Sequence, residues 1–96
     1  MPDTEKIITT HTSPGIGYHC TTDKKIARYK ASGRILAPVR FFPNLETAKR
    51  WGKRTGRQII LKIRLSGPSY PLPDHTPAYW SPTDVPLTNI MEEKLI

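Results

Sequence analysis

Val39-Arg40-Phe41-Phe42-Pro43-Asn44-Leu45-Glu46-Thr47-Ala48 reads as a strand that runs straight into a capped helix. Pro43 stops the strand, because proline has no N–H to give to a ladder. Asn44 then offers a side-chain oxygen to the free amides of a first turn, and Glu46 complements the positive end of the helix dipole. The helix is predicted from Leu45 to about Thr55, with Gly56 as the left-handed residue that ends it. Leu45, Ala48, Trp51 and Gly52 share one face by three-and-four spacing, while Lys49, Arg50, Lys53 and Arg54 crowd the others.

Upstream lies Gly17-Tyr18-His19-Cys20-Thr21-Thr22, at the end of a strand predicted over residues 16–21. Side chains two apart in a strand project together. His19 and Thr21 therefore face one way, and Tyr18 and Cys20 the other. Thr22 or Asp23 caps a helix over about residues 24–31, with Ile26 and Tyr29 turned toward the core and Gly33 closing it. Downstream, residues 58–65 alternate most regularly. Ile59, Leu61, Ile63 and Leu65 line one face, and Ile60 faces the other way with Lys62 and Arg64. Residues 67–82 hold five prolines and read as a long loop, packed down by Tyr70, Tyr79 and Trp80. Residues 85–90 read as a late edge strand. The implied organisation is a flexible arm at 1–15, which includes a weak strand signal at Ile7-Ile8-Thr9-Thr10, a single globular domain at 16–90, and a frayed tail at 91–96. The expected fold is α+β: a small, mostly antiparallel, split sheet with two short helices.

At 96 residues and 36% hydrophobic content the chain supports one domain with a lean core. No apolar run approaches the ~20 residues that span a bilayer. The start of the chain lacks a basic stretch followed by an apolar one. The lone cysteine, Cys20, has no partner for an internal disulfide. These features predict a reducing, cytoplasmic setting without a membrane. Three histidines, one cysteine and scattered acids show no metal-ligand spacing, so no metal is expected. Cys20 reads as a buried, inert thiol.

The net charge of +7 is unevenly spread: residues 24–64 carry thirteen Lys or Arg against the single acid Glu46. Such a concentration attracts polyanions, whether nucleic acid, nucleotide phosphates or an acidic protein. The bland alternative is a set of solvated helix faces.

Tyr18-His19-Cys20-Thr21, a short helix, Gly33, an extended segment, the aromatic pair Phe41-Phe42 and a helix carrying Ala48 and Trp51 together resemble ADP-ribosyltransferases, in particular the bacterial and poly(ADP-ribose) polymerase-type branch with a His-x-Thr motif. The resemblance covers residues 16–90. It implies NAD as cofactor, with His19 on a ribose hydroxyl, the Cys20 backbone on the nicotinamide amide, Thr21 supporting the ribose, and Phe41 or Phe42 stacked on the nicotinamide ring. The family's late catalytic glutamate has no counterpart: residues 65–90 contain only Asp74 and Asp84 as acids. A tyrosine of the second motif is phenylalanine here. The resemblance therefore points to nucleotide binding ahead of transfer, in a cleft beside His19, Thr21, Arg40 and Phe42. Arg40 enters as a partner for a pyrophosphate.

Two alternatives remain open. Lys49, Arg50, Lys53, Arg54 and Arg57 form a basic strip suited to nonspecific RNA or DNA contact. The proline- and tyrosine-rich stretch 69–80 could instead dock a protein partner.

Overall fold

The computed structural model describes residues 11–12 and 15–96. Over these residues it is a small α+β fold with two α-helices and antiparallel sheets. Strand β1 is His11–Thr12, β2 Ile16–Thr21, β3 Arg34–Ile35, β4 Val39–Phe41 and β5 Ile59–Arg64. Helix α1 (Asp23–Ser32) follows β2, and α2 (Leu45–Thr55) follows β4. Then come β6 (Pro68–Pro71), β7 (Tyr79–Ser81), β8 (Val85–Pro86) and β9 (Ile90–Leu95), with 3-10 turns at Pro73–His75 and Leu87–Asn89.

The described strands form three sheets: β2-β5-β9, β1-β6-β7-β4, and the pair β3-β8. The two larger sheets meet at one place. Tyr18 and Phe42 exchange both backbone hydrogen bonds at 2.9 Å. On one side of that bridge Pro43 and the Asn44 cap turn the chain into α2; on the other, where Cys20 comes opposite Arg40, β2 and β4 part company. The expected split sheet is this parting, and it creates the wedge where the cleft lies.

β5 is the centre of the fold, and its alternation decides the core. Ile59, Leu61, Ile63 and Leu65 pack on one face with Ile35, Val39, Phe41 and Val85; Ile60 packs on the other with Cys20, Phe42, Ala48 and Ala78. Burying each such aliphatic side chain stabilises the fold by roughly 1.5–3 kcal/mol. Gly17 is needed where it stands, since a Cβ there would lie 2.5 Å from Phe41 Cδ2.

Both helices carry the caps expected of them. Thr22 Oγ1 accepts from Lys25 N, Asn44 Oδ1 accepts from Thr47 N at 2.8 Å, and Gly33 and Gly56 close the helices at φ of 81° and 79°. α1 buries no residue completely, which leaves its basic side chains at the surface.

Four expectations are corrected. Residues 91–96 are not a frayed tail: β9 pairs along β5, and Ile96 packs against the Phe42–Ala48 cluster. Its charged run, Glu92-Glu93-Lys94, is the polar guard of an edge strand rather than a sign of fraying. The late edge strand at 85–90 is instead the short β8, a 3-10 turn and only the first residue of β9. Residues 67–82 form a hairpin, β6 with β7, rather than a long loop. The prolines of β6, Pro68 and Pro71, stand at its two ends, where a missing N–H costs the ladder least. Finally, His11–Thr12 pairs with Pro68–Ser69, so the end of the proposed arm is a strand; the Ile7-Ile8-Thr9-Thr10 signal lies outside the described residues.

Candidate functional site

The wedge between β2 and β4 is filled by the His19 ring. His19 Nδ1 lies 2.6 Å from the Arg40 carbonyl, and Nε2 lies 2.9 Å from Tyr29 Oη. A carbonyl only accepts, so Nδ1–H must be the donor. Nε2 of the neutral ring then accepts from the Tyr29 hydroxyl, and Thr21 Oγ1 donates to Tyr29 Oη at 3.3 Å. One chain of bonds thus runs Thr21 to Tyr29 to His19 to the β4 backbone. The ring takes the place of the ladder bonds that β2 and β4 no longer share. Burial pushes the His19 imidazole down from 6.5 to about 4; the Arg40 carbonyl opposes this, while Lys25 and Arg57 add to it. The ring is neutral at pH 7.

Outside this network opens a cleft of ≈ 330 Å³. Its polar wall carries His19, Lys25, Arg28, Tyr29, Arg40 and Arg57; its apolar wall carries Ile35, Leu36, Pro38, Phe42 and Trp51, with Cys20 at the floor. Among the described residues no acidic side chain lines it. Among the described residues, Lys25, Arg28, Arg40 and Arg57 enter no salt bridge. Lys25 shows the consequence: desolvation lowers its pKa, and repulsion from Arg57, Arg28 and Arg40 lowers it further. Leu36 stands 55% exposed at the rim. Ligand pockets commonly begin at about 300 Å³ and combine apolar walls with a few convergent polar groups.

Local sequence explains the convergence. Lys25, Arg28 and Tyr29 are spaced three and four apart on α1, so they share a face. Arg40 and Phe42 are two apart on the β4 side of the wedge. Arg57 arrives by a tight return after α2: its N–H donates to Gly52 O at 2.9 Å. A Cβ on Gly52 would sit 2.8 Å from the Arg57 carbonyl, so glycine is what permits that return.

Of the expected nucleotide-site residues, His19, Cys20, Arg40 and Phe42 line the cleft. Phe41 does not: it is 0% exposed and stacks on Tyr79, because neighbours in a strand face opposite ways. Thr21 is also fully buried and reaches the cleft only through Tyr29. The Cys20 thiol points away, donating to the Ala48 carbonyl at 3.2 Å, and burial pushes it up to about 11. The Cys20 backbone is placed differently. Tyr18 turns its N–H and C=O toward Phe42. Alternate residues repeat that direction, so Cys20 turns its own N–H and C=O to the same side, toward Arg40 across the wedge.

The expected nucleic-acid strip divides in two. Arg57 belongs to the cleft. Arg50, Lys53 and Arg54 stay together on the exposed face of α2, and Lys49 is half-buried. Arg50 and Arg54 also line a second cavity of ≈ 270 Å³ with Thr47, Asp74 and His75, and it shares the Phe42–Trp51 wall with the first. Trp51 meets His75 edge-on at 5.1 Å, and the Arg54 guanidinium lies 5.9 Å from its ring centre. Lys25, Arg28, Tyr29 and Trp51 were absent from the expected site. The Lys25-Arg28-Tyr29 spacing beside a histidine-bearing strand is the signal that could have found the first three; Trp51 carried none.

Among the described residues no three His, Cys, Asp or Glu side chains come together as a metal site, and no helix is long and apolar enough to cross a membrane. Comparison of the chain with protein-family models, curated proteins and solved structures finds no match.

Proposed function

We propose that the protein binds a phosphate-bearing nucleotide in the cleft between β2, β4 and α1. The observation that carries this reading is the gathering of Lys25, Arg28, Arg40 and Arg57 around one opening without an acid among its lining residues. Four cations held together repel one another, and at Lys25 that repulsion adds to desolvation in lowering the pKa. A pyrophosphate or its equivalent would offset it through charge-assisted hydrogen bonds. Phe42, Trp51 and the exposed Leu36 offer apolar surface to a base or a ribose face.

The likeness to ADP-ribosyltransferases belongs to the same proposal. It is supported by a His-x-Thr strand, a second strand that runs into a capped helix, and a cleft at their parting. For NAD the phosphate side fits, through Arg40, Arg57, Lys25 and Arg28. On the nicotinamide side, the backbone of Cys20, which faces the wedge at the cleft's lining, is the group that would take the amide. The role of His19 is changed: both its ring nitrogens are engaged within the protein, so it holds Tyr29 and β4, and the Tyr29 hydroxyl is the polar group it presents to a ribose. NAD would bring the glycosidic bond that transfer breaks. Among the described residues the carboxylate that would stabilise the developing positive charge has no candidate in this cleft: Asp84 is tied to Arg34 and the Ala37 amide, and Asp74 lies in the neighbouring cavity. The function proposed is therefore binding, without transfer.

Titration of labelled protein with NAD and ADP-ribose, followed by backbone amide shifts, tests this. Saturable shifts at Cys20, Tyr29, Arg40, Phe42 and Arg57 are expected. Shifts confined to Arg50, Lys53 and Arg54 would move the site to the α2 face. An unchanged spectrum at millimolar ligand would sink the reading.

A further inference from the structure

The outer face of the β1-β6-β7-β4 sheet carries two rungs of side chains with different fates. Arg40 and Phe42 project together from the β4 segment, as do Trp80 and Ala78 from the β7 segment and Tyr70 and Leu72 from the β6 segment. The backbone sets them opposite one another: Arg40 pairs with Trp80, Trp80 pairs with Tyr70, and Leu72 N–H donates to the Ala78 carbonyl. The rung Phe42-Ala78-Leu72 is covered by α2, through Leu45, Ala48 and Trp51. The rung Arg40-Trp80-Tyr70 belongs to neither hydrophobic cluster. Arg40 is exposed, and Trp80 and Tyr70 are half-buried, with ring centres 5.1 Å apart. Arg40 is also a wall of the cleft.

Two large aromatic rings kept half-buried on a sheet face that neither hydrophobic cluster of the described residues covers need a reason, because burying them in the core would stabilise the fold more. Their position supplies one. They continue, strand by strand, from a cation of the cleft, at the ~5 Å spacing of cross-strand neighbours. Base–aromatic stacking next to phosphate-binding cations is how single strands are held without sequence readout.

We infer that the ligand is the end of a single-stranded nucleic acid: its terminal nucleotide enters the cleft, Arg40 takes the next phosphate, and the next base stacks on Trp80 and Tyr70. This rests on the cleft reading and narrows it from a free nucleotide to a strand end. An acidic peptide would satisfy the cations but would leave the ring faces without a flat partner. Charge complementarity extends over the whole region, since residues 24–64 contain one acid against thirteen cations.

The test uses fluorescence anisotropy with fluorescein-labelled oligouridylate and oligothymidylate of about ten nucleotides, a length set by usual single-strand site sizes. UMP and ADP-ribose serve as competitors. The strand is expected to bind at least tenfold more tightly than UMP, and its affinity should fall by about tenfold in Trp80→Ala and in Tyr70→Ala. Trp80→Phe, which keeps a ring, should retain most of the affinity. All three variants should bind ADP-ribose as the wild type does, which also shows that they fold. Log affinity for the strand should fall with log salt by about 0.7 per phosphate contacted. The two probes separate RNA from DNA as the source. The inference is overturned if the strand binds no more tightly than UMP, if Trp80→Ala and Trp80→Phe bind it alike, or if polyglutamate displaces it as well as unlabelled oligonucleotide does. Loss of strand affinity without a platform effect sinks the inference and leaves the cleft standing. A Trp80-dependent strand complex that ADP-ribose never displaces sinks the cleft reading and keeps the platform.

Discussion

Arg34 and Arg57 are the same residue type put to opposite uses. Arg34 lies 3.3 Å from Asp84, whose other oxygen accepts from the Ala37 amide at 2.7 Å. That carboxylate ties β3 to the approach of β8, and the arginine's charge is spent inside the fold. Arg57 is brought into the cleft by the return at Gly52 and meets Lys25, Arg28 and Arg40 there, with no acid among the lining residues. A solvated basic face would spread its charges to reduce repulsion. Here the backbone draws four of them together. On the proposed reading the difference separates charge that serves the fold from charge that serves a ligand, and each side of it can be tested.

The largest stability effect comes from His19, whose ring fills the wedge between β2 and β4. Its pKa is lowered from 6.5 to about 4 in the folded protein. Between those values the unfolded chain binds more protons than the folded one, so stability rises with pH across that window. The contribution is fully present above pH 6.5 and is lost as pH falls toward about 4. It amounts to about 3 kcal/mol. The difference between urea melts of wild type and His19→Gln across this range isolates it. Parallel pH profiles would mean that the ring is not held neutral by the wedge.

Gly52→Ala should come next. The new Cβ collides with the Arg57 carbonyl, at an expected cost of about 1–3 kcal/mol. It should also displace Arg57 and weaken nucleotide binding, so a variant that melts early yet keeps full affinity would show that Arg57 is not a ligand group. The smallest effect belongs to Arg34→Ala. An exposed ion pair contributes about 0–1 kcal/mol, and nucleotide affinity should not change. Thermal melts and a ligand titration on the same sample read both quantities.

Much of this fold was legible in the sequence because its signals are local. Asn44, Gly56 and the three-and-four spacing delimit α2 without help from the rest of the chain. The alternation from Ile59 to Leu65 places those side chains on two faces before either neighbouring strand is known. What escaped depends on distant partners. β6 and β7 become strands only by pairing with each other across a 3-10 turn, and their prolines mask them. β9 is polar on both faces because it is an edge strand, and only its register with β5 reveals it. Phe41 and Phe42 are adjacent and both are buried, so composition could not say which one faces the cleft. The site was half visible for the same reason. His19 and Arg40 stand in recognisable strands, whereas Arg57 reaches them only through the close approach that Gly52 allows.

Calorimetric titration of ADP-ribose into wild type and into the Lys25→Ala/Arg57→Ala double variant tests the central claim most directly. The account predicts saturable binding to the wild type and a loss of at least about tenfold in the variant, since hydrogen bonds to charged groups are worth about 1.5–3 kcal/mol each. It also predicts an undiminished melting temperature, because removing two mutually repelling cations relieves the fold. Equal affinity in both proteins, or a variant that loses its fold together with its binding, would contradict it: the gathered charge would then be serving the structure, as Arg34 does.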